Sequence, residues 1–147
     1  MKYILYIFSP TGQCIGPAFP GFCYGTKKGV HPVPIQYKHL PIFDAYMQGG
    51  GYFKPYLTHD SSKTKILGSY LSLPHHPAAV VKCSVGKGVV VLSGIHLEYI
   101  ATSLEKDNPY LLNSIPQFLQ SDSMRDVVFK DLLLELGIYI EPLHSRL

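Results

Sequence analysis

Apolar residues along this chain fall into two regimes: short runs cut by proline and glycine up to Ser93, and helical spacing after Asn108. Tyr3 to Phe8 is a continuous apolar run closed by Ser9-Pro10-Thr11-Gly12. It is too short for a stable helix and rich in aromatic and branched side chains, which predicts a buried strand. From Thr11 to Pro41 prolines, glycines and isolated aromatics predict an irregular excursion with short edge strands such as Val33 to Tyr37. Tyr46 to Phe53 encloses the turn-forming run Gly49-Gly50-Gly51, and Ile66 to Leu73 reads as a strand ended by Pro74. The clearest pair is Ala78 to Val85 and Gly88 to Ser93, a hairpin whose glycines supply a tight turn. Because Gly88 to Gly94 is almost wholly apolar, the second of these strands is expected to be covered on both faces and central in a sheet.

The back of the chain changes period. Pro109 to Leu119 suits a short helix. Ser123 then precedes Met124, Val127, Val128, Phe129, Leu132, Leu133, Leu134 and Leu136, with Asp126 placed as a capping-box partner and Gly137 as the stop. Asp126 and Lys130 lie four residues apart, where they can pair on the outer face of that helix. Strands and helices together predict a single α/β domain over residues 1–147.

Composition narrows the function. Charged residues make up only 16% of the chain against about 25% in an average soluble domain, so either the surface is unusually polar-neutral or part of it is covered by something else. The net charge of +3 comes from scattered lysines and arginines, not the basic stripe that nucleic acid requires. The opening apolar run is far shorter than the roughly 20 residues of a membrane span, and no cleavage site follows it. Cys14, Cys23 and Cys83 are odd in number without a C-x-x-C pair, which fits reduced thiols and a cytoplasmic setting better than a disulfide framework or zinc ribbon.

The strongest candidate chemistry is Ser93-Gly94-Ile95-His96-Leu97-Glu98-Tyr99, directly after the presumed central strand. On an extended chain His96 and Glu98 point the same way, so the carboxylate can fix the imidazole tautomer and stabilise its protonated form. Such a dyad needs a nucleophile. Gly12-Gln13-Cys14-Ile15-Gly16 has the G-x-C-x-G spelling of a nucleophile elbow, but Pro17 and Pro20-Gly21 oppose the helix that an elbow needs and that would lower the thiol pKa. His75-His76, between Pro74 and Pro77, could join His96 around a zinc ion only if the fold turned their side chains together. No metal is expected.

Several blocks in order resemble the amidotransferase-like N-terminal region of eukaryotic biotin-protein ligases, also called holocarboxylase synthetases. Gly12 through Gly16-Pro17-Ala18-Phe19-Pro20-Gly21-Phe22 is similar to that family's glycine-proline loop, and Tyr46-Met47-Gln48-Gly49-Gly50-Gly51-Tyr52-Phe53 to its triple-glycine segment. Gly86-Lys87-Gly88 to Glu98 resembles its strand and His-x-Glu motif, and Ser121-Asp122-Ser123-Met124-Arg125 its closing Ser-Asp-x-x-Arg element. The resemblance implies a class I glutamine amidotransferase-like fold, a flavodoxin-like parallel sheet between helices, whose active members use Cys, His and Glu. His96 and Glu98 match the last two. Cys14 falls on a variable position of the loop, so the dyad is expected to be vestigial and the chain an N-terminally incomplete domain.

It further implies that biotin and ATP serve only a separate catalytic domain that transfers biotin to carboxylases, and that this segment takes no cofactor. It has no glycine- and arginine-rich loop, only Arg125 and Arg146, and no tryptophan. The expected role is that of a non-catalytic accessory or regulatory piece. Its expected partners are the rest of the parent ligase, or a second copy through an exposed sheet edge. The alternative is an active amidotransferase or hydrolase using Cys14, His96 and Glu98.

Overall fold

The computed structural model describes residues 8–9, 12–21, 30–56, 63–104 and 109–140. Cys23 and all of the first apolar run except Phe8 lie outside them. The strands are β1 (Phe8–Ser9), β2 (Gly12–Ile15), β3 (His31–Tyr37), β4 (Phe43–Met47), β5 (Tyr52–Pro55), β6 (Thr64–Tyr70), β7 (Ala78–Val85) and β8 (Gly88–Ser93). A 3-10 turn (Ala101–Ser103) and helices α1 (Pro109–Leu112) and α2 (Ile115–Glu135) follow. The strands form an eight-stranded sheet in the order β1-β2-β5-β7-β6-β3-β4, with β8 also paired to β7.

Every ladder is antiparallel. The fold is therefore mixed α/β, but the parallel, flavodoxin-like order is not what these residues build. Parallel neighbours need crossovers, usually helical. Among the described residues both α-helices come after the last strand, and β7 turns directly into β8. Gly86, at φ 59°, takes the first central place of that turn, where a II′ hairpin needs positive φ.

The strand covered on both faces is β7, not β8. Ala79 and Val80 join the main core, whereas Ala78, Val81 and Cys83 pack under Phe53 of β5. Among the described residues β8 pairs with β7 alone, and Val89 and Val90 are 42% and 39% exposed. An apolar run marks a strand fit for burial, but hairpin partners share that mark, and the second neighbour went to β7. Val33 to Tyr37 likewise lies inside the sheet, between β6 and β4. Its prolines are tolerated because the Pro34 carbonyl accepts from Leu71 N–H on the β6 side. The nitrogen of Pro34 faces that same side, past the end of the β3–β6 ladder, which begins at Ile35, so no ladder bond to β4 is lost.

Helix α2 closes the main core with Val128 and Leu132 against Val33, Ile35, Met47 and Val80. Full burial of a valine such as Val128 contributes about 1.5–3 kcal/mol. The helix begins at Ile115 with Pro116 in its first turn, so the expected start at Ser123 is corrected. Ser121 and Asp122 do not cap it. They point at neighbours, Ser121 Oγ accepting from Asp44 N–H (3.0 Å) and the Asp122 carboxylate from Ala101 N–H (3.1 Å). Asp126 and Lys130 do pair on the outer face, at 2.6 Å.

Candidate functional site

The chain leaves β8 at Ser93, whose hydroxyl donates to the Ile95 carbonyl (2.6 Å) and accepts from Ile95 N–H (3.3 Å). That local turn carries the backbone across to β4, where His96 N–H donates to the Tyr46 carbonyl at 2.8 Å. Here His96 Nδ1 and Glu98 Oε1 stand 2.7 Å apart. Burial alone would raise the Glu98 carboxyl. The His96 hydrogen bond, with backbone hydrogen bonds at Glu98 and Leu97, outweighs that and holds it below the usual carboxylate range. An ionised Glu98 fixes the Nδ1–H tautomer and leaves Nε2 as the free face of the ring. Around the imidazole stand Tyr46 and Tyr99, with centroids at 5.7 and 5.1 Å, and Phe118 backs Tyr46 at 5.5 Å.

Below His96 the glycine segments meet. A methyl group on Gly50 would strike the Gly94 carbonyl, and one on Gly94 would strike the Gly51 carbonyl. On Gly51 it would lie 2.7 Å from the Ile15 carbonyl and 2.9 Å from Cys14 Sγ. Only glycine allows these backbones to touch. Tyr70 locks the junction, its single hydroxyl proton shared between the carbonyls of Gly51 (2.8 Å) and Gly94 (3.1 Å), and Ala18 N–H ties the proline loop to the Gly50 carbonyl (2.8 Å). Burial pushes the Tyr70 phenol far up, with the nearby Cys14 adding to it, so Tyr70 remains a donor throughout the working pH range.

Beside this junction a cavity of about 310 Å³ opens between the β2–β5 ribbon and the face of β7 and β8. Cys14, Cys83, Val81, Leu92, Lys54 and His96 are among its walls.

Cys14 is not poised as a nucleophile. It sits within β2, paired opposite Phe53, not at a strand-to-helix elbow, and burial pushes its thiol upward. Among the described residues no helix N-terminus faces it, and the segment that follows, with a cis Gly16–Pro17 bond, is irregular and not helical. The active Cys-His-Glu hydrolase is therefore not supported. His75 and His76 lie exposed in the β6–β7 turn, and among the described residues no three His, Cys, Asp or Glu side chains gather as a metal site.

Arg125 is 2% exposed and donates to the carbonyls of Asp44 (2.9 Å) and Phe118 (2.8 Å) and to the Asp122 carboxylate. Through Asp122 and Ala101 this network anchors the segment that follows His96 and Glu98. Sequence reasoning missed Tyr70 and the anchoring part of Asp122. Tyr70 carries no local mark, whereas separated glycines at 50, 51 and 94 are the one available sign of a close backbone approach.

Residues 5–146 match the family described as biotin-protein ligase, N terminal. The chain belongs to the biotin-protein ligase N-terminal family. A biotin–protein ligase of Schizosaccharomyces pombe is 37% identical over 95 residues, covering 61% of this chain and 15% of the relative. An uncharacterized protein of Chlamydia muridarum is 34% identical over 101 residues, 66% of this chain and 38% of the relative. The chain thus spans well under half the length of either. No solved structure gives a significant match. The blocks that the family resemblance rested on are those that converge in space: the glycine-proline loop, the triple glycine, the His-x-Glu segment and the Ser-Asp-x-x-Arg anchor. Among the described residues no helix is long and apolar enough to cross a membrane.

Proposed function

We propose that this chain is a non-catalytic accessory or regulatory segment of a biotin-protein ligase, acting in the cytoplasm by contact with the rest of that protein. The observation that carries the reading is a His96–Glu98 pair that has no activated nucleophile beside it among the described residues: Cys14, one of two thiols lining the neighbouring cavity, is pushed up by burial. The pair then acts as a structural or recognition element and not as a general base. Biotin and ATP are assigned to the parent's catalytic domain. Arg125, the arginine among the described residues, is committed to Asp44, Phe118 and Asp122 inside the protein.

The test compares a full-length ligase carrying this segment with its His96→Ala and Glu98→Gln variants in biotin transfer to an acceptor domain, alongside glutamine hydrolysis by the segment alone. The regulatory reading expects altered transfer kinetics in the variants and ammonia release equal to buffer. Ammonia release abolished by Cys14→Ser and His96→Ala, or transfer kinetics unchanged by either variant, would reject it. A second mode of contact, self-association, is favoured by the edge of β8, which has no partner strand among the described residues and carries the exposed Val89 and Val90.

A further inference from the structure

We propose that two copies of this chain join edge to edge through β8, antiparallel, about a two-fold axis that passes between their Val90 residues. The inference rests on the self-association reading above and gives it a geometry. The phase of the ladder fixes which backbone groups face outward. Val85 and Gly88 flank the two-residue turn of the β7–β8 hairpin, so they form a hydrogen-bonded pair, and such pairs recur at every second residue. The Gly94 N–H, donating to the Ala79 carbonyl at 2.8 Å, continues the same phase. Val90 and Leu92 therefore turn their N–H and C=O groups toward β7. Val89 and Val91 turn theirs the other way, where no described strand receives them.

This edge is unguarded. β8 contains no proline and no charged side chain, and no bulge interrupts its register with β7. Natural edges are blunted by such devices. At the other described margins of the sheet, β1 is two residues long and runs into Pro10, and β4 receives the Tyr46–His96 bridge. A two-fold axis brings like charge against like, so a strand without charge can lie against its own copy. Burial selects the register. Leu92 packs on the Val81 and Cys83 cluster and Val91 on the main core, whereas Val89 and Val90 are exposed. With the axis at Val90, Val89 of one copy and Val91 of the other exchange both backbone hydrogen bonds, and the exposed valines are covered. Val90 then meets its counterpart as a non-hydrogen-bonded pair, with Cα atoms about 4.5 Å apart.

That spacing lies within the roughly 4.4–6.8 Å that a disulfide spans. Val90→Cys is made in the full chain together with Cys83→Ala, because Cys83 sits opposite Val90 on β7. Under diamide this variant should form a covalent dimer, with mass spectrometry finding a disulfide between two β8 peptides. Val89→Cys in the same background should not, since its counterpart lies a diagonal away. Hydrogen exchange of the unaltered chain keeps the test decisive if the variant fails to fold. The Val89 and Val91 amides should exchange more slowly as concentration rises, while those of Val90 and Leu92 stay protected at every concentration. A mass that grows with concentration, without the cross-link at position 90 and without added protection at Val89 and Val91, would leave self-association standing and overturn this geometry. A chain that stays monomeric overturns both. Protection of Val89 and Val91 only within a monomeric full-length ligase would assign the edge to another strand of that protein and overturn the proposal.

Discussion

A single methyl group separates the glycine junction from a steric collision. Gly94→Ala would drive its Cβ into the Gly51 carbonyl, and Gly51→Ala would press on Ile15 and Cys14. Each is expected to lower unfolding free energy by about 2–4 kcal/mol in urea denaturation. Gly88→Ala is the matched control. Its Cβ would meet only the Val85 carbonyl at 3.6 Å, and the change should stay within about 0.5 kcal/mol. The β6–β7 turn offers the opposite case. His76 N–H closes on the Leu73 carbonyl at 3.2 Å, and His75 sits third in that turn at φ 62°, a place that favours glycine. His75→Gly should therefore stabilise the protein by about 0.5–1 kcal/mol in the same assay.

Helix α2 is held to the sheet at its far end by charge as well as by packing. Lys38 Nζ reaches Asp131 (2.5 Å) and Glu135 (2.6 Å), Lys82 Nζ reaches Glu135 (2.8 Å), and the Tyr37 hydroxyl donates to Asp131 (2.7 Å). The hydrogen bonds from Lys38 and Lys82 hold the Glu135 carboxyl down at about 2, against an ordinary 4.5. A depressed acid stabilises the fold above its unfolded pKa, and that contribution disappears as pH falls through the folded one. Stability should thus decline between about 4.5 and about 2 through this group. Glu135→Gln should cost roughly 1–2 kcal/mol near neutrality, the difference from the parent narrowing as pH falls through that window, as read by midpoints from pH 7 to pH 2.5. The helix was only partly legible in the sequence. Its buried line, Phe118, Ser121, Arg125, Val128 and Leu132, includes two polar residues, while Val127 and Leu134 lie outside at 48% and 51% exposure. A hydrophobic count therefore placed the start too late and passed over the polar part of the buried line. Arg125 and Ser121 are buried because β4 and Asp122 satisfy them, which only tertiary contact reveals.

For the molecule as a whole, the hairpin of β7 and β8, the glycine turn and the His96–Glu98 segment could be read from residues alone. The sheet order could not, because alternation and apolar runs state that a strand is buried but not which neighbours bury it. β8, read as central, lies instead at a flank with an open edge of valines. Light scattering over a concentration series should show association of the isolated chain, and a lysine on that edge, Val90→Lys, should shift it toward monomer. A mass independent of concentration, unaffected by Val90→Lys, would remove self-association from the account. The clamp on α2 also governs how the chain comes to be folded. Lys38 meets Glu135 across 97 positions of sequence, and Tyr37 meets Asp131 across 94. Contacts that distant carry their loop-closure entropy before any reward, so acquisition of the native state is expected to be slow. On the ribosome, strands β3, β4, β6 and β7 emerge long before the helix that covers them. Their apolar face therefore stays uncovered until the helix has emerged, an interval in which chaperone capture competes with aggregation.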